Sequence, residues 1–206
     1  MTKLASNPPT ALDTQPGLAA AESDSTTMLG FWVYLMTDCI LFGSLFATYA
    51  VLHNSTFGGP GASQLFSLPF VLGETLILLT SSFTVGLAIL AVQRQAKNQA
   101  LIWLAATLLL GGVFLTMELT EFSHLIADGN SWQRSGFLSA YFTLVGTHGL
   151  HIATGLLWGA VIASQILRRG LVRSTARRLL LFSLFWHFLD VIWIMIFSVV
   201  YMMGAL

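Results

Sequence analysis

The sequence predicts an all-α membrane protein, a bundle of five transmembrane helices with the N-terminus cytoplasmic and the C-terminus periplasmic. Three observations predict it. Of 206 residues, 55% are hydrophobic and only 9% charged, where a soluble domain carries about 25% charged residues. Five apolar segments, roughly 29–52, 68–92, 99–122, 136–167 and 179–204, each exceed the ~20 residues that cross a bilayer core of ~30 Å. The lysines and arginines fall almost entirely in the connections on one side.

Residues 1–28 precede the first segment. They are polar, rich in Ser, Thr, Pro and Ala, and lack a basic stretch followed by an apolar one, so they are expected to be a flexible tail rather than a cleavable signal. Residues 29–206 form the transmembrane domain. In lipid each backbone group must find its partner within the chain, so all five segments are expected to be helices. The fourth, about 45 Å long at 1.5 Å per residue, has to tilt or project beyond the core.

The connections set the direction. Lys3 lies in the tail, Arg94 and Lys97 in QRQAKN (93–98), and five arginines in RRGLVRSTARR (168–178). The opposite side has HNSTFGGPGASQLFS (53–67), without a base, and DGNSWQR (128–134), with Arg134 alone. Basic loops stay on the cytoplasmic side, which gives the orientation above. Gly155 and Gly159, and likewise Gly43 and Ala47, are spaced for close approach of helices, although chance pairs are common in such sequence.

Lys plus Arg equals Asp plus Glu, nine each, so no charge excess points to nucleic acid. The one cysteine, Cys39, excludes a disulfide framework and a CxxC metal site within the chain, and its apolar surroundings predict a small buried hydrophobe.

Ionisable groups inside the spans are the candidate functional residues: Asp38, Glu74, Glu118, Glu121, His148, His151, His187 and Asp190. No Lys or Arg shares a span with them. Such groups face the bundle interior, a cavity or a partner. Helix rise places Asp38, His187 and Asp190 in an inner layer and Glu74, Glu118 and Glu121 in an outer one, with His148 and His151 between, facing the acids. His187 and Asp190 are three apart on one face, as are His148 and His151. The bland reading is that each polar group bonds a neighbouring helix and fixes packing. The sharper reading is proton handling, with several acids neutral or sharing protons with histidine. Haem stays a third possibility: His148 and His151 cannot be opposite axial ligands from one helix face, but His151 and His187 match in depth. No Cys cluster or His-x-x-x-His pair offers a copper or zinc site, and no nucleotide loop or water-facing Ser/His/Asp set offers catalysis. A stand-alone haem protein or a proton-coupled transporter remains the reading of another class.

GFWVYLMTDCILFGSLFATY (30–49), LPFVLGETLILLTSSFTVGLA (68–88), FLTMELTEFSHLI (114–126), FTLVGTHGLHIATG (142–155) and FWHFLDVIWIMIFSVVYMMG (185–204) together resemble subunit III of the haem–copper respiratory oxidases. HGLH and WHFxDVxW are the most specific of these. Asp38 stands where many cytochrome c oxidase members carry a carbodiimide-reactive glutamate, one methylene longer. Glu121 matches a family glutamate, and Glu74 stands where some members have Asn. His148, His151, Trp186, His187, Asp190 and Trp193 match the two C-terminal motifs. The resemblance implies a non-catalytic subunit without haem, copper or metal of its own. It would assemble with oxidase subunits I, II and IV, with haems and copper in subunit I. It would bind phospholipid and support proton uptake and active-site lifetime. TDCILF, PFVLGET and RSGFLSAYF (134–142) are most similar to the bacterial bo-type ubiquinol enzymes, with a bacterial cytochrome c oxidase as the alternative within the family. Such a chain belongs in the bacterial inner membrane.

Overall fold

A computed structural model describes residues 16–65 and 67–204. All regular structure in them is helical: α1 (Pro16–Leu52), α2 (Ala62–Leu65), α3 (Leu68–Gln93), α4 (Lys97–Ala127), α5 (Gly136–Arg169), α6 (Arg173–Ile196) and a π-helical end, Phe197–Met202. Five of these stretches are long and apolar enough to cross a membrane. The expected tail over 1–15 lies outside the described residues. Over 16–28 the backbone is already helical. Pro16 is pre-set for a first helical turn, and the LAAAE at 18–22 is made of good helix formers.

The chain divides into two units, the first ending at Asp38 and the second beginning at Cys39. In the first, Leu35 and Asp38 are buried, whereas Trp32, Val33, Tyr34 and Met36 are exposed. Tyr34, four residues before Asp38 and so on the same helix face, is its hydrogen-bond partner.

The second unit holds a closed four-helix arrangement: α3 packs on α4, α4 on α5, α5 on α6, and α6 back on α3. Short connections make consecutive helices antiparallel neighbours. Each turn has a local cause. Pro69 opens α3 within its first two positions, where its missing N–H costs no bond. The Ser135 side chain accepts from Leu138 N at 3.2 Å and caps α5. Gly170 ends α5 at φ 76° and ψ −170°, a conformation essentially confined to glycine. Alternation gathers the described basic residues other than Arg134 at one end of the bundle. There Lys97 Nζ donates to Leu167 O at 3.1 Å and Arg178 to Gln165 at 2.7 Å.

The core is built on α6, the most enclosed of the long helices. Trp186 is fully buried. A Cβ on Gly111 of α4 would stand 2.7 Å from its ring and one on Gly155 of α5 would stand 3.0 Å away, so both glycines make room for the indole. Trp186 Nε1 donates to Ser81 Oγ of α3 at 2.9 Å. Gly159 meets Leu108 of α4 and Phe182 of α6 in the same way. The Gly155/Gly159 spacing is therefore a real packing device, whereas Gly43 faces open space. Between helices in lipid, close packing and interhelical hydrogen bonds replace the hydrophobic effect as the driving force.

Cys39 corrects the sequence reading, because it is exposed rather than buried. An apolar run crossing a membrane has no wet side, so apolar character does not tell the inner face from the outer one. Ile40 beside it is 73% exposed for the same reason.

Candidate functional site: buried acids and histidines

The three glutamates of the outer layer come together. Glu74 of α3 is fully buried, and neither carboxyl oxygen has a hydrogen-bond partner among the described residues. Glu118 of α4 is also buried, with Oε2 lacking such a partner. It feels the fields of both Glu74 and Glu121. Its carboxyl lies directly on Gly149 of α5, where a Cβ would overlap Oε1.

Glu121, one turn further along α4, is half-buried and accepts a long hydrogen bond from Tyr201 Oη at 3.4 Å. Tyr201 Oη in turn lies 3.0 Å from Tyr141 Oη of α5. The π-helical end of α6 carries Tyr201, which is buried. Glu121 also lines a cavity of about 410 Å³ together with Ser67, Phe70, His124 and Asp128. Of the three acids it is the one that reaches both the buried cluster and this opening.

The histidines part company. His148 is fully buried among aromatic rings rather than on a carboxylate. It stacks on Trp193 at 5.1 Å between centroids and meets Phe114 edge-on at 5.9 Å. Neither ring nitrogen has a hydrogen-bond partner among the described residues. Trp193 is held in turn by Phe114 at 4.7 Å and by donation from Nε1 to Thr75 Oγ1 at 3.0 Å. His151 lies beside Phe42 at 5.2 Å, with Nδ1 2.7 Å from Thr147 O.

His187 turns to α3, where its Nδ1 lies 2.6 Å from Ser82 Oγ. Asp190, buried, stands behind with Oδ2 3.9 Å from the same nitrogen, too far for a hydrogen bond. Ser82, His187 and Asp190 thus meet, but serine and aspartate address the same ring nitrogen, unlike a nucleophile–base–acid relay. His151 and His187 turn to different neighbours, Phe42 and Ser82. Among the described residues no group of three or more His, Cys, Asp or Glu side chains is placed to hold a metal ion.

Several contributors escaped the sequence reading: Gly149, Tyr141, Tyr201, Thr75, Ser81 and Ser82. Their signal is polar or small residues inside apolar spans. The TSS run of α3 and the glycine within HGLH carry it most plainly.

The relatives extend over nearly the whole chain. The family described as Cytochrome c oxidase subunit III matches residues 14–205. A Pseudomonas aeruginosa protein named Cytochrome bo(3) ubiquinol oxidase subunit 3 is 57% identical over 187 residues, covering 91% of this chain and 90% of its own length. Quinol oxidase subunit 3 of Bacillus subtilis is 42% identical, covering 89% and 90%. Cytochrome c oxidase subunit 3 of Bacillus sp. (strain PS3) is 44% identical, covering 90% and 92%. The chain belongs to the cytochrome c oxidase subunit III family.

Proposed function

We propose that the chain is the third, non-catalytic subunit of a bo3-type ubiquinol oxidase, a complex that oxidises ubiquinol, reduces oxygen to water and moves protons outward across a bacterial plasma membrane. The observation that carries this is the 57% identity over 91% of the chain to a protein named as that subunit. In this reading the N-terminus is cytoplasmic and the C-terminus periplasmic, because the end of the bundle rich in Lys and Arg faces the cytoplasm. The partners are the other oxidase subunits, with subunit I holding the haems and copper, and phospholipid fills the outer faces of the helices.

The buried groups have two roles in the proposal. Trp186, Trp193, His148 and the α3 hydroxyls lock the helices together. Asp38 and the inner acid–histidine layer support fast proton uptake by the catalytic subunit, and Glu74, Glu118 and Glu121 exchange protons among themselves in the outer layer. Carboxyls gathered away from any lysine or arginine are suited to passing protons among themselves.

Deleting this chain from its host tests the reading. The remaining complex should keep its haem spectrum and initial ubiquinol oxidation, then lose activity over fewer turnovers than the whole complex. Equal lifetimes with and without the chain would remove the supporting role. A cytochrome c oxidase is the second reading, since the Bacillus sp. relative carries that name. A binuclear copper centre in the purified complex would decide for it.

A further inference from the structure

A groove of about 340 Å³ opens on the outside of the α3–α6 pair, lined by Leu79, Ser82, Phe83, Gly86, Leu87 and His187. Its walls look away from the bundle, Phe83 being 67% exposed and Leu79 41%. Only Ser82 and His187 are polar. The His187 side chain is 47% exposed. Its Nδ1 is occupied by Ser82 Oγ at 2.6 Å, with Asp190 behind. Its Nε2 has no hydrogen-bond partner among the described residues. The structure thus fixes one ring nitrogen and leaves the other at the groove.

Depth decides what could meet it. His187 stands about 12 Å along α6 from Leu179, where the basic stretch 168–178 gives way to the apolar span, at 1.5 Å per residue. With a hydrocarbon core of ~30 Å, this is deep within the core, a little short of its centre. An unmet imidazole nitrogen is costly there. The ester carbonyls and head groups of phospholipids stay at the edge of the core, roughly 12 Å away. A flat, membrane-dissolved ring bearing oxygen atoms can reach this depth. Gly86 leaves room for one, since a Cβ there would meet nothing within 4 Å. A groove of this size holds a head group with its tail outside.

We propose that the α3–α6 groove is a docking site for the head group of a quinone or quinol dissolved in the bilayer, hydrogen-bonded to His187 Nε2 and flanked by Leu79 and Phe83. The inference rests on the quinol-oxidase reading above. It concerns binding only, with no electron transfer at this site. Both redox forms fit the same ring. When Ser82 donates to Nδ1, Nε2 carries the proton and donates to a quinone carbonyl. When Nδ1 donates to Ser82, Nε2 accepts from a quinol hydroxyl.

The test is photolabelling of the purified whole complex with an azido-ubiquinone, followed by mapping of labelled peptides. Label is expected on the Leu79–Leu87 stretch or next to His187. Excess short-chain ubiquinone should displace it and excess phospholipid should not. Gly86→Leu, which fills the groove, should abolish it. Ser82→Ala, which frees the ring, should weaken it about fivefold, the loss of one ordinary hydrogen bond. Label confined to other subunits, label indifferent to Gly86→Leu, displacement by phospholipid, or a helix of another subunit cross-linked at His187 would each overturn the site. Ubiquinol oxidation by the same preparation separates the two claims. Activity without groove labelling ends the site alone, and a preparation without companion subunits or oxidase activity ends the wider reading.

Discussion

Gly149 of α5 carries the carboxyl of Glu118 on its bare backbone, so closely that a Cβ there would overlap Oε1. The glycine between the two histidines of HGLH is therefore the seat of a buried acid from α4. It ties the most specific sequence motif to the acid cluster through a hydrogen atom in place of a side chain.

Gly149→Ala should destabilise the chain by about 1–3 kcal/mol, the range for an added methyl in a packed core. Thermal unfolding of the purified complex would read it. Glu118→Ala placed on top should recover most of the loss, because it empties the space the methyl needs. A double variant no more stable than Gly149→Ala would show that the methyl clashes with something else.

Trp193 is held by Thr75 and in turn holds His148. Thr75→Val keeps the shape but strands the indole N–H, and should cost about 1–3 kcal/mol. Trp193→Ala also empties the space beside His148 and Phe114 and should cost about 3–5 kcal/mol. The order of the two in a thermal or denaturant assay is the check. Reversal would mean the hydrogen bond outweighs the ring packing.

Asp38→Asn should assemble normally and show the initial rate of the unaltered complex, then inactivate in fewer turnovers. The measurement is oxygen consumption followed until activity fails. Unchanged activity over many turnovers would take Asp38 out of the mechanism.

Orientation can be read with thiols. In a Cys39→Ser background, Ser55→Cys, in the base-free connection, should react in whole cells with a maleimide that does not cross the plasma membrane. Gln95→Cys, beside Arg94 and Lys97, should react only after the cells are permeabilised. The opposite pattern would invert the topology.

The five spans were legible because lipid forces long apolar segments into helices, whatever else they contain. The predicted bounds 68–92 and 136–167 become Leu68–Gln93 and Gly136–Arg169. What stayed hidden is which face of each helix looks inward. A bilayer tolerates apolar residues on every side, so Cys39 reads as core and is exposed, and His148 reads as a partner of acids and sits among aromatic rings. The acids could be named from the sequence, since charge at membrane depth is rare. Their meeting could not, because it depends on Gly149 and on the π-helical turn that carries Tyr201 inside. That turn has no sequence mark comparable to a proline or a charged loop.

Mild-detergent purification of the whole complex through a tag on this chain tests the central claim most directly. The material should contain haem-bearing companion subunits and oxidise ubiquinol with consumption of oxygen. A chain that purifies alone, or one that shows a haem Soret band of its own after separation from the others, would contradict it.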